Sequence, residues 1–220
     1  MPETAVRGSF SPMTLTKKEI QQALNLPNFD SLAAYKKMAP LGRPIKRDTA
    51  VSGSPRVGSV LALLYNWQNE PHLVLTRRRD DLSTHPGQIS FPGGRNEDGE
   101  PLHKTALRET QEEIGVLPDD VAVLGQLHSL YIPPSDFEVH PFVGWYVPEK
   151  RPCFQPQPTE VAEILEIPLR HFFNPDIRKE ETWLVRGTPR QIPYFDVNGY
   201  KVWGATAMMI SELVERLRHL

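Results

Sequence analysis

A single cysteine, Cys153, is present, so no disulfide can close within the chain and stability must rest on a packed core. Set among prolines, it reads as a bystander rather than a nucleophile. No apolar run approaches the ~20 residues that cross a bilayer as a helix, and no membrane partner is expected. Neither sign of charge is in excess: 25 Lys and Arg stand against 27 Asp and Glu, for a net charge of −2. Bulk attraction to nucleic acid or to an anionic membrane is therefore not expected. Residues 1–10 lack the apolar stretch of a secretory signal. Arg218-His219-Leu220 is not the S-K-L peroxisomal address. Cytoplasmic residence is the expectation. There is no internal repeat, P-loop, GxGxxG or low-complexity tract.

What is present is ordinary for a soluble globular protein: 39% hydrophobic and 24% charged residues over 220 positions. The 22 prolines punctuate it. Residues 1–50 read as a helical extension and linker, and residues 51–220 as the main domain. Thr16 and Glu19 form a capping-box signal before Ile20, Ala23 and Leu24, and a second short helix is expected within Asp30–Met38. Pro40, Gly42 and Pro44 mark the linker. The extension is expected to pack on the main domain or on a second subunit, as in a homodimer. Val57–Trp67 and His72–Arg78 read as a hairpin turning at Glu70-Pro71. Val121–Tyr131, His140–Val147, Glu181–Arg186 and Ile192–Val197 read as strands, with Ser135–Glu138 as a polar loop. Asn198-Gly199 is a hairpin turn, and Ala205–Arg218 an amphipathic helix with Met208, Met209, Leu213 and Leu217 inward. Arg151–Pro158 holds three prolines and must be an irregular loop near the substrate opening. His128 and His140 read as hydrogen-bonded rim or core residues. Strands, hairpins and helices interleave, which points to an α/β or α+β class with a mixed sheet flanked by helices.

The chemistry concentrates after a polar, Gly-rich loop from Gly94 to Glu100. Pro101 suits the first turn of a helix and Gly115 its end, with Pro118 just beyond. On a wheel Ala106, Leu107, Thr110 and Ile114 share a packing side, while Glu109, Glu112 and Glu113 fall together opposite. Like charges at i, i+3 and i+4 repel by roughly 0.2–0.5 kcal/mol each, and the helix dipole disfavours anions in the last turn. The arrangement calls for a positive partner, and carboxylate oxygens suit Mg²⁺ or Mn²⁺. A solvated acidic face beside Lys104 and Arg108 is the bland alternative.

Gly94, Glu100, Arg108, Glu109, Glu112, Glu113, Gly115 and Val116 fit the Nudix box, G-x5-E-x7-R-E-U-x-E-E-x-G-U, where U is a bulky apolar residue. Thr110 departs from it at the first U. The sequence thus resembles a Nudix hydrolase. The resemblance runs over roughly residues 57–218 and implies that family's αβα sandwich. Upstream, Leu75, Thr76, Arg78, Leu82, His85, Gly87, Gln88, Phe91, Pro92, Gly93 and Gly94 look like the extended signature of the coenzyme A pyrophosphatase subfamily. Arginines at a strand end suit phosphate.

The resemblance implies Glu109, Glu112 and Glu113 as metal ligands with a carbonyl of Gly93 or Gly94. Glu109 is also a candidate base for the attacking water. Arg108 is expected to orient box carboxylates, and Glu100 to tie the loop to the helix. Glu160 and Glu163 both stand as acids returning towards the metal, and a polar rim of a short helix is the competing reading of that segment. Arg78, His85 and Gln88 are the substrate-binding candidates. The implied reaction is hydrolysis of the diphosphate of coenzyme A or its thioesters. Another Nudix specificity, such as ADP-ribose or a dinucleoside polyphosphate, and a non-catalytic Nudix-like binding module are the rivals.

Overall fold

A computed structural model describes residues 15–44, 47, 53–97, 99–185 and 187–220. The expected signal-free start and the boundary at residues 50 and 51 lie outside them. Helix α1 (Lys17–Leu24) is closed at its start by the expected capping box between Thr16 and Glu19, and Asp30 caps α2 (Ser31–Lys36) through the Ala33 N–H. Strands β1 (Arg56–Trp67) and β2 (Glu70–Arg78) form a hairpin, and β3 (Ile89–Ser90) and β4 (Gly93–Arg95) lead into helix α3 (Leu102–Ile114). Then come β5 (Val121–Gln126), β6 (Leu130–Ile132), β7 (Phe137–Tyr146) and β8 (Val161–Pro168). A 3-10 turn over Leu169–Phe173 precedes β9 (Arg178–Val185), β10 (Thr188–Val197), β11 (Tyr200–Trp203) and helix α4 (Gly204–Arg218).

Eight strands make one mixed sheet along β3-β2-β1-β7-β5, with β4 on β1, β6 on β7 and β8 on β2. The β1–β7 pairing is parallel and the other pairings are antiparallel. Strands β9–β11 form a second antiparallel sheet. Alternation sorts the large sheet into two faces. Leu61, Leu63 and Tyr65 of β1 meet Ala106, Leu107 and Ile114 of α3. Ala62 and Leu64 turn the other way, into a core shared by Ile20 and Tyr35 of the N-terminal helices and Met208, Leu213 and Leu217 of α4. This is an αβα sandwich around a mixed sheet, as expected.

Several boundaries differ from expectation, each for a local reason. The first hairpin turns at Gln68-Asn69, both at positive φ (52° and 62°), so Glu70 and Pro71 already lie in β2. Pro101 stands at the N-cap of α3 with extended ψ (133°), one residue before the helix. The stretch expected as one strand from Val121 is two, β5 and β6, with a register shift between Val123 and Gly125. Phe137 and Glu138 belong to β7, not to a loop. The segment after Glu160 is strand β8 against β2, not a helix rim.

Candidate active site

Helix α3 ends as its sequence demands. Gly115 takes the left-handed conformation (φ 75°) and its N–H donates to the Gln111 carbonyl at 2.9 Å. The next free carbonyls are met from outside the helix: Gln155 N–H donates to Ile114 O at 2.9 Å, and Gln157 N–H to Glu113 O at 2.8 Å. The Pro-rich loop between β7 and β8 therefore clasps the C-terminal turn of α3 and brings Glu160 back beside it.

The three helix glutamates occupy three environments. Glu113 is buried, at 7% exposure. Burial, then the charges of Glu109 and Glu160, push its carboxyl up to about 8, against the pull of Arg78 and a hydrogen bond from the Gly93 backbone. Glu109 is half-buried, and burial raises its carboxyl too, with Arg108 opposing and Glu112 and Glu160 adding to the rise. Glu112 is exposed and meets Arg108 Nη1 at 3.2 Å. Arg108 also reaches Glu100 Oε1 (2.9 Å), Glu109 Oε1 (3.0 Å) and the Arg95 carbonyl (3.2 Å). It binds the box carboxylates, with its side chain still partly exposed. Glu100 in turn is tied to the helix: the pairing with Arg108 holds its carboxyl below the usual range, and Asn96 bridges the Glu100 carbonyl (2.9 Å) to Thr105 Oγ1 (2.7 Å).

The two glycines of β4 are required by what surrounds them. A Cβ on Gly94 would stand 2.4–2.6 Å from the carboxyl atoms of Glu109. Gly93 sits at φ 152°, and a Cβ there would meet the Ser59 carbonyl at 2.4 Å. Leu61 N–H bonds Pro92 O and Asn96 N–H bonds Val57 O, at 2.9 Å each. Antiparallel alternation between those bonds makes Ser59 and Gly94 a bonded pair and turns the Gly93 N–H away from β1, towards Glu113.

Of the three consecutive arginines, two are neutralised locally. Arg77 pairs with Asp80 at 2.5 Å and Arg79 with Asp81 at 2.6 Å. Arg78 lies on the α3 face of β2, and its buried Nε has no hydrogen-bond partner. That selection was readable in the run Arg-Arg-Arg-Asp-Asp, although the expectation treated the arginines as a cluster. The loop that follows is folded back on β2: Arg78 N–H donates to Gln88 O at 3.0 Å, and Gln88 N–H to His85 O at 3.3 Å. His85 is exposed at φ 55°, and Gln88 is half-buried.

Glu160 and Glu163 part company. Glu160 lies within electrostatic range of both Glu109 and Glu113. Glu163 pairs in register with Arg77, on the opposite face from Arg78, and accepts a hydrogen bond from Tyr200 Oη at 2.5 Å. Sequence reasoning did not find the caps by Gln155 and Gln157, because they act through backbone N–H groups that carry no residue signature. His128 gives its carbonyl to Tyr35, and His140 bonds Gln126 at 3.2 Å, both as rim residues.

The donor set fits a hard divalent cation. Carboxylate oxygens and a glycine backbone suit Mg²⁺ or Mn²⁺, and Gly94 leaves space for the Glu109 carboxylate where a Cβ would fill it. Among the described residues no three His, Cys, Asp or Glu side chains stand together so that they could hold a metal ion by themselves. Mg²⁺ does not need three, because it keeps several waters and takes one or two carboxylates plus substrate phosphates.

The NUDIX domain family model matches residues 55–189. The uncharacterised Nudix hydrolase NudL of Pectobacterium atrosepticum is 39% identical over 155 residues, which cover 65% of this chain and 73% of that protein. The NudL of Yersinia pestis is 37% identical over 155 residues, 67% of this chain and 73% of its own. Among solved structures, RenU, a Nudix hydrolase from M. smegmatis, aligns with TM-score 0.50 and 13% identity over 76% of this chain and 86% of that one, a likeness of fold alone. Sequence model, relatives and sandwich agree, and the chain belongs to the Nudix family.

Proposed function

We propose that this chain hydrolyses the diphosphate bond of coenzyme A or its thioesters, yielding 3′,5′-ADP and 4′-phosphopantetheine or its acyl derivative. The observation that carries this reading is the run from Leu75 to Gly94, which resembles the coenzyme A pyrophosphatase signature and connects Arg78 to the edge of the α3 carboxylates.

Glu109, Glu112 and Glu113 would hold Mg²⁺ or Mn²⁺ together with the backbone of Gly93 or Gly94. A cation held there would neutralise phosphate charge and lower the pKa of a bound water. Arg108 keeps Glu109 and Glu112 oriented from behind. Arg78 offers a buried N–H and a positive charge to the diphosphate. His85 and Gln88 sit on the loop that follows and complete the substrate contacts. The proton of the attacking water goes to Glu109 or Glu160, both in the same electrostatic cluster; Glu163 is the third candidate and must first release Tyr200.

The test is a substrate panel with Mg²⁺ or Mn²⁺ and identification of products by mass. Coenzyme A or an acyl form should be turned over fastest. Far faster turnover of ADP-ribose or a dinucleoside polyphosphate refutes the substrate assignment, and binding without turnover refutes catalysis.

A further inference from the structure

We infer that Ser59 is a positioning residue of the carboxylate site, its hydroxyl holding Glu109 through one ordered water. Ser59 is 1% exposed, and its Oγ is one of the few buried side-chain polar atoms among the described residues with no hydrogen-bond partner. A buried hydroxyl left unpaired costs stability, and such groups are rare unless something outside the protein atoms satisfies them. Alanine or valine would suit a central strand better.

The direction in which Ser59 points follows from the strand. It shares the parity of Leu61 and Leu63, which pack on α3. It also lies opposite Gly94 in the β1–β4 ladder. Residues facing each other in an antiparallel pair project to the same side, with Cβ positions about 4.5–5.5 Å apart. The position a Gly94 Cβ would take is 2.4–2.6 Å from the Glu109 carboxyl atoms. The Ser59 side chain and the Glu109 carboxylate therefore face the same side with no direct hydrogen bond between them, and a bridging water is the partner that would satisfy the Ser59 hydroxyl.

The remaining groups leave this pairing open. Arg108 holds Glu109 Oε1 at 3.0 Å, and no donor among the described residues is bonded to Oε2. His140, level with Ser59 across the parallel β7, is engaged by Gln126 at 3.2 Å and faces Glu138 at 3.5 Å. A water on Ser59 would restrain Oε2 as Arg108 restrains Oε1, fixing the carboxylate plane that an incoming cation meets. Such outer contacts to a ligating carboxylate tune both affinity and rate.

This inference rests on Glu109 being a cation ligand, as proposed above, and the experiment separates the two. Ser59→Ala and Ser59→Thr are made in the full chain. Melting temperature, Mn²⁺ affinity by calorimetry, and kcat and KM for coenzyme A with Mn²⁺ are measured. Ser59→Ala should melt at or above the wild-type temperature while kcat falls about tenfold or more and Mn²⁺ binds more weakly. KM should stay within about twofold. Ser59→Thr keeps the hydroxyl but crowds the strand, so it should melt lower and retain kcat better than Ser59→Ala. A role in packing alone would lower kcat only in step with melting temperature in both variants, which overturns the inference. Wild-type kcat and Mn²⁺ affinity in Ser59→Ala also overturn it. A wild-type protein that binds Mn²⁺ yet hydrolyses none of the panel refutes the functional reading, and Mn²⁺ affinity then still decides the role of Ser59.

Discussion

At the scale of the residue, Glu113 is the centre of the site, a carboxyl buried against two others with one arginine in range. Its carboxyl rises from an ordinary 4.5 to about 8, so the folded, cation-free protein keeps a proton there that the unfolded chain gives up. That contribution to stability is whole below pH 4.5 and is lost as the pH climbs through about 8. Melting temperature in chelator should therefore fall between those values more steeply in wild type than in Glu113→Gln. A cation must displace the same proton, so Mn²⁺ affinity should rise by up to about tenfold per pH unit below 8 and level off above it, as calorimetry across pH would show. Glu113→Gln should fold, melt no lower than wild type without metal, and lose nearly all turnover.

At the scale of the element, α3 and β4 act as a pair, because Glu109 occupies the space that a side chain at Gly94 would need. Gly94→Ala should displace that carboxylate and cut kcat by two orders of magnitude or more, with a small change in melting temperature, since about 1 Å of misplacement costs on the order of 100-fold. Gly115→Ala should instead act on stability, by about 1–3 kcal/mol in chemical denaturation, because it forces φ 75° on an L side chain and meets the Gln155 Cβ at 2.8 Å. The helix was legible in the sequence, as its apolar side, its final glycine and its acid spacing are all local features. The depth of Glu113 was not: a wheel places it with Glu109 and Glu112, and its burial comes with neighbours distant in sequence, Gly93, Arg78 and Glu160 among them. The choice between Glu160 and Glu163 also lay beyond the sequence. It depends on the segment being a strand and not a helix, so that Glu163 turns to the Arg77 side of β8 while Glu160 stays on the loop that clasps α3.

At the scale of the whole molecule, the N-terminal helices and α4 are joined by a buried polar network. Arg216 pairs with Glu212 at 2.9 Å, with 10% and 0% of their side chains exposed. Ser31 Oγ donates to Glu212 at 2.8 Å, the His128 N–H donates to it at 3.0 Å, and Arg216 reaches the Leu24 carbonyl at 3.2 Å. Removing one partner of a buried pair costs about 3–5 kcal/mol, so Glu212→Ala should lower stability by that order and expose α1 and α2 to protease first. An amphipathic reading of α4 found its methionines and leucines but gave no sign that Glu212 and Arg216 face inward, since a charged residue on a helix is usually solvated. The proposed site is one in which a cation among carboxylates would break a phosphoanhydride. The direct measurement is hydrolysis of coenzyme A by protein stripped of divalent ions, before and after Mg²⁺ or Mn²⁺ is restored. Negligible turnover that returns with the metal is the predicted result; equal rates with and without it would contradict the account.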